Sequence, residues 1–145
     1  MQKRRQIEDD DCFSACVESI LELPSGTVPN FCEYNDMYLE ANKWLKVRGW
    51  QLFTVPYTKK LLRDNTGTGY VIVKVKGEAP DAHAVVGKIT RQQLKIIFDP
   101  GNKPNEPFHY PPKEFLAIFF IVPLFIVSPC KRLNKKSLQR LTALD

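Results

Sequence analysis

The chain has 145 residues, 43% hydrophobic and 26% charged, with a net charge of +5. That length suits one domain with its own core and no need of disulfide staples, and the composition excludes a disordered or fibrous protein. Residues 1–5 hold three bases, residues 131–145 hold five bases against one acid, and the remainder holds 13 bases against 15 acids. A nucleic-acid module spreads its basicity over the folded surface, so 1–130 reads as one domain and 131–145 as a basic C-terminal tail.

No apolar stretch follows the charged first residues, so no secretory leader is expected and a cytoplasmic location follows. Asp9, Asp10 and Asp11 precede the run CFSACVESILEL at 12–23. Asp caps helix starts and suits the positive end of the helix dipole. Cys12, Cys16, Val17, Ile20, Leu21 and Leu23 form a helical stripe, and Pro24, Ser25 and Gly26 stop it. A second helix is predicted over 35–47, with Tyr38, Leu39, Ala41, Trp44, Leu45 and Val47 as its apolar set and Gly49 closing it.

From Trp50 onward the hydrophobic period changes. Residues 50–55 read as a strand, 59–63 as one helical turn and 65–69 as a loop. Three strand-like runs follow at 70–76, 83–89 and 94–99. Residues 100–102 turn the chain, and 103–112 form a Pro-rich loop. The segment FLAIFFIVPLFIV at 115–127 is interrupted by Pro123 and falls short of the ~20 apolar residues a spanning helix needs. It reads as a core strand with Pro123 at a bend or edge, and no membrane span is expected. Helices first and strands second, joined by short links, predict an α+β fold with N-terminal helices packed on a mainly antiparallel β-sheet.

The four cysteines are Cys12, Cys16, Cys32 and Cys130, and the two histidines are His83 and His109. They lack the tight pairs of a zinc site, so no metal and no cofactor is expected, and the thiols are read as reduced. Cys12 sits at a predicted helix start, where backbone N–H groups lower a thiol's pKa. The three acids before it act the other way unless they point elsewhere or a cationic His faces the thiol. Alone, Cys12 reads as a small buried hydrophobe or as a nucleophile. His83 alone reads as a structural residue, and Asp99 as a turn residue before Pro100 and Gly101.

Together they form a constellation. The strands at 83–89 and 94–99 are joined by a hairpin-length link, which places His83 and Asp99 within one register step. If both face one side, Asp99 orients the imidazole and His83 deprotonates Cys12. Gln6 lies six positions before Cys12, where a side-chain amide can assist the Cys12 N–H in holding an oxyanion.

These residues resemble a known family. QIEDDDC at 6–12 is similar to the glutamine and nucleophile of papain-like cysteine peptidases. The longer stretch QIEDDDCFSACVESIL most resembles the bacterial branch that includes the double-glycine-leader, bacteriocin-processing peptidases. HAVVG at 83–87 and FDPG at 98–101 are similar to that branch's His strand and Asp-Pro turn, in the same order. The resemblance covers about 6–102, with the sheet continuing to about 127. It implies a papain-like fold in a bacterial or phage protein, with Gln6 as oxyanion donor, Cys12 as nucleophile, His83 as base and Asp99 as orienter. The activity it implies is hydrolysis of amide bonds in a peptide or protein substrate. Phe13 stands where those peptidases usually have Gly, and a bulky ring there would narrow the cleft. No transporter segment accompanies the domain, so a transport-coupled role is not implied.

Three other readings stand beside this one. The same residues suit a papain-like deamidase or acyltransferase effector, or a catalytically inactive peptidase-like binding protein. The basic tail suits a weak contact with an anionic partner, RNA or a membrane surface among them, or simple solubilisation.

Overall fold

The β-branched and aromatic runs of the second half build a five-stranded sheet on which the helical stripes of the first half pack. The computed structural model describes residues 1–7, 10–64, 67–77, 82–102 and 110–124. Asp9, His109, Cys130, the end of the last predicted strand at 125–127 and the basic tail lie outside the described residues. The elements are α1 (Cys12–Leu21), α2 (Met37–Lys46), β1 (Trp50–Pro56), α3 (Lys59–Asp64), β2 (Gly69–Val75), β3 (His83–Thr90), β4 (Gln93–Phe98) and β5 (Phe115–Pro123), with 3₁₀ turns at Phe31–Glu33 and Pro112–Glu114. The strand order is β1-β5-β2-β3-β4, and every pairing is antiparallel. The fold class is α+β, as the order of helical and strand patterns predicts.

Alternation along the strands divides the core into two layers. Ile72, Val86 and Phe119 pack with Phe13, Cys16 and Val17 of α1 and with Ala41 and Leu45 of α2. Val71, Val73, Val85 and Ile118 form the second layer, joined by Leu61 and Leu62 of α3. Each large side chain buried in this way contributes about 1.5–3 kcal/mol. No helix among the described residues is long and apolar enough to cross a membrane.

The helix ends depart from the predicted bounds for local reasons. α1 stops at Leu21, because Leu23 precedes Pro24, which disfavours helical backbone there, and Glu22 turns the chain at φ 58°. α2 starts at Met37, because the Asp36 carboxylate caps it by accepting the Leu39 N–H at 3.0 Å. At the start of α1 the expected Asp cap is absent. Asp11 occupies the cap position without a side-chain capping bond, and its carboxylate accepts the Ile7 N–H at 3.0 Å instead.

The sheet also corrects the predicted register beside His83. Phe98 pairs with Val86, but Ile96 pairs with Gly87, so Ile97 is an extra residue in a β-bulge. β4 ends at Phe98, before Asp99, and the ladder partner of His83 is Val75 on β2. Asp99 therefore reaches His83 from the turn that follows the strand, and not from a register position opposite it. Gly87 sits at a close approach: a Cβ there would lie 2.8 Å from Leu94 Cδ1 and 2.9 Å from Val73 Cγ2.

Candidate active site

Cys12 is the first residue of α1, which packs on β2 and β3. The helical ladder begins with Ala15 N–H to Asp11 O at 3.0 Å, so the N–H groups of Cys12, Phe13 and Ser14 lie ahead of it. The chain before Cys12 is fastened at several points. Gln6 N–H donates to Pro100 O at 3.2 Å, which ties Gln6 to the turn after β4. Asp10 Oδ1 accepts Asn30 Nδ2 at 2.8 Å, and Asp10 O accepts the Cys32 thiol at 3.0 Å. The carboxylates of Asp10 and Asp11 are thus engaged by Asn30 and Ile7.

His83 opens β3, with its side chain 24% exposed, and its Nε2 lies 2.7 Å from Asp99 Oδ1. A carboxylate only accepts, so Nε2–H donates and Nδ1 is the nitrogen left for Cys12. Asp99 is 2% exposed. Its Oδ1 also accepts the Gly101 N–H at 2.8 Å, and its Oδ2 accepts the Tyr110 hydroxyl at 2.5 Å.

Gly101 marks the point where these groups meet. A Cβ on it would lie 3.1 Å from Gln6 Oε1, 3.3 Å from His83 Cε1 and 3.4 Å from Asp99 Oδ1. Cys12 lies close enough to His83 to act on its imidazole. The four residues named from the sequence, Gln6, Cys12, His83 and Asp99, are therefore brought together from separate segments of the chain.

The charges support one another. Burial alone would pull the His83 imidazole down, but the hydrogen bond to Asp99, the nearness of Cys12 and the charges of both carry it from its ordinary 6.5 up to about 9. Burial would push Asp99 up, but the hydrogen bonds from His83, Tyr110 and the Gly101 N–H hold it below the ordinary carboxylate value. The pair is accordingly imidazolium and carboxylate at neutral pH. Cys16, one turn beyond Cys12, is fully buried. Burial first, then the charges of Cys12 and Asp99, push its thiol well up, and it is a core residue, as its helical spacing suggests.

Two features differ from the sequence reading. Phe13 does not narrow a cleft. It is 3% exposed and turned into the core, with its ring 5.9 Å from Tyr38 and 5.4 Å from Phe119, edge-on to both. The side chain of a residue directly after Cys12 on a helix is rotated by about 100° from it, so the nucleophile and the ring have different surroundings. Tyr110 is the site residue that the sequence reading missed. It lies in a Pro-rich stretch eleven positions after Asp99, and no spacing rule marks it.

Among the described residues, no three His, Cys, Asp or Glu side chains gather as metal ligands. Comparison of the chain with known protein families, with curated proteins and with solved structures finds no match.

Proposed function

We propose that the protein is a cysteine-dependent hydrolase of amide bonds in peptides or proteins, with Cys12 as nucleophile, His83 as general acid and base, Asp99 as orienter and Gln6 as oxyanion donor, on a papain-like scaffold. The observation that carries this reading is the convergence of Gln6, His83 and Asp99 around Gly101, with His83 hydrogen-bonded to Asp99 and within the influence of Cys12. In this reading Cys12 Sγ⁻ attacks the carbonyl carbon. The oxyanion is held by the Cys12 N–H and the Gln6 amide. His83 Nδ1–H gives its proton to the departing amine, and the acyl group remains on sulfur as a thioester. His83 then takes a proton from water, hydroxide attacks the thioester, and Cys12 is released.

The binding-protein alternative draws on Phe13 in place of glycine and on the acids before Cys12; the ring lies in the core, and the carboxylates of Asp10 and Asp11 are engaged by Asn30 and Ile7. Deamidation and acyl transfer use the same acyl-enzyme and differ in the amide attacked or in the acceptor.

Alkylation with iodoacetamide between pH ~5 and ~9, mapped by mass spectrometry, tests the reading. At low pH Cys12 should label faster than Cys32, and a His83→Ala variant should slow it. Peptide and glutamine-amide libraries then separate cleavage from deamidation. If Cys12 labels no faster than Cys32 at low pH, the hydrolase reading fails.

A further inference from the structure

Both oxygens of the Asp99 carboxylate are engaged: Oδ1 by His83 Nε2–H and Gly101 N–H, and Oδ2 by the Tyr110 hydroxyl. We propose that Tyr110 is a positioning residue, whose hydroxyl fixes the plane and charge of Asp99 and through it the tautomer and aim of His83 toward Cys12. Its catalytic meaning rests on the hydrolase reading, whereas the contact itself does not.

A carboxylate accepts and cannot donate, so the Tyr110 O–H is the donor. The phenol keeps its proton. Burial raises it first, and the hydrogen bond to Asp99 with the charges of Asp99 and Glu114 raise it further. Rotation of a carboxylate about its last torsion is soft and two-fold. Partners on Oδ1 alone leave that rotation open, and a donor on Oδ2 closes it. The fixed plane keeps Oδ1 on Nε2–H, so a neutral His83 carries its proton on Nε2 and offers Nδ1 to the thiol. The same bond helps to keep a 2% exposed carboxylate ionised, since a buried anion needs donors on its lone pairs.

The ionisable groups that face Asp99 come from several elements. They are His83 on β3, Cys16 on α1 and Tyr110, with Cys12 beside His83 and Glu114 beside Tyr110. Cys16 is held protonated by burial. Tyr110 is thus, with the Gly101 N–H, a neutral donor that offsets the Asp99 charge without competing for the His83 proton.

Full-length Tyr110→Phe keeps the ring and removes only the hydroxyl. The chain has two histidines, so a His109→Gln background isolates the His83 ring in an NMR spectrum. Above pH about 9, where His83 is neutral, the parent should show the Nε2–H tautomer by nitrogen shifts. In Tyr110→Phe the Nδ1–H tautomer should appear, and the Asp99 carboxyl carbon should titrate about one pH unit higher, the size of one hydrogen bond to a charged group. An unchanged tautomer and an unchanged Asp99 midpoint in a folded variant overturn the proposal and leave Tyr110 a packing residue.

If Tyr110→Phe does not fold, a ring-fluorinated tyrosine placed at 110 has nearly the same shape and a stronger donor. It should move the Asp99 midpoint down, and no movement overturns the proposal. Alkylation of Cys12 in the same samples separates the two failures. An unreactive Cys12 in the parent overturns the hydrolase reading, while the His83 and Asp99 signals still decide the role of Tyr110.

Discussion

α1 and α2 are each ten residues long, yet α2 buries two of its side chains and α1 seven. α2 is built by local rules. Asp36 caps it, Glu40 pairs with Lys43 at 2.7 Å, and Lys43 and Lys46 sit in its last turn, where cations suit the dipole. α1 has no side-chain cap, no acid in its first turn and no base in its last. It is held by burial of residues 13–19 against the sheet. The difference shows what tertiary packing permits. A helix fixed by its core face does not need a side chain folded over its first N–H groups, so those groups are left without a side-chain cap.

The sharpest way to break that comparison is at the start of α1. Cys12→Ala and His83→Ala should each lower amide hydrolysis by about a thousandfold or more and leave the melting temperature near that of the parent. A stable Cys12→Ala protein that still turns over substrate would remove α1 from the chemistry. Phe13→Ala should cost about 3–5 kcal/mol in a urea titration, the range for a buried aromatic. Phe13→Gly should cost more, because glycine also weakens the helix. A small loss would mean that α1 is not held by its core face.

Gly101→Ala should have little effect on folding but should lower turnover roughly ten- to a hundredfold, because its Cβ crowds Gln6, His83 and Asp99 together. The pH dependence of stability follows from the same cluster. His83 has a raised folded value of about 9, so its contribution is full below pH ~6.5 and is lost as pH rises toward about 9. Asp99 has a lowered value, so its contribution is present above the ordinary carboxylate value and is lost on acidification. Chemical denaturation across pH 5 to 9 should therefore show falling stability on the alkaline side, and His83→Gln should flatten that fall. The smallest effect separates the two helix starts. Asp36→Ala should cost about 1 kcal/mol, the usual value of a cap. Asp11→Ala should cost α1 less and instead loosen the chain before Cys12.

Much of this architecture is legible in the amino-acid pattern, and the exceptions have physical causes. The order of the strands' runs and the apolar stripe of α1 are visible because burial enforces period two and period 3.6. The meeting of His83 with Asp99 follows from a hairpin-length link between two runs. Its register does not, because the bulge at Ile97 has no signature in a run of Leu, Lys, Ile, Ile and Phe. Phe13 misleads because adjacency in sequence suggests adjacency in the cleft, whereas a helix turns neighbouring side chains apart. Tyr110 is silent because its partner is eleven residues away across a turn, at no periodic spacing.

The placement of Phe13 has a consequence for anyone mapping this protein by saturation mutagenesis. Its ring, one residue along the backbone from Cys12, packs edge-on against Tyr38 of α2 and Phe119 of β5, which also contact each other at 4.9 Å. Substitutions at Tyr38 or Phe119 that shift the ring will tilt the first turn of α1 and register as lost activity, far from any group that would touch substrate. In such a map, positions sensitive in activity but silent to inhibitors will trace this aromatic cluster, and only a paired abundance measurement will tell them from the residues around Gly101.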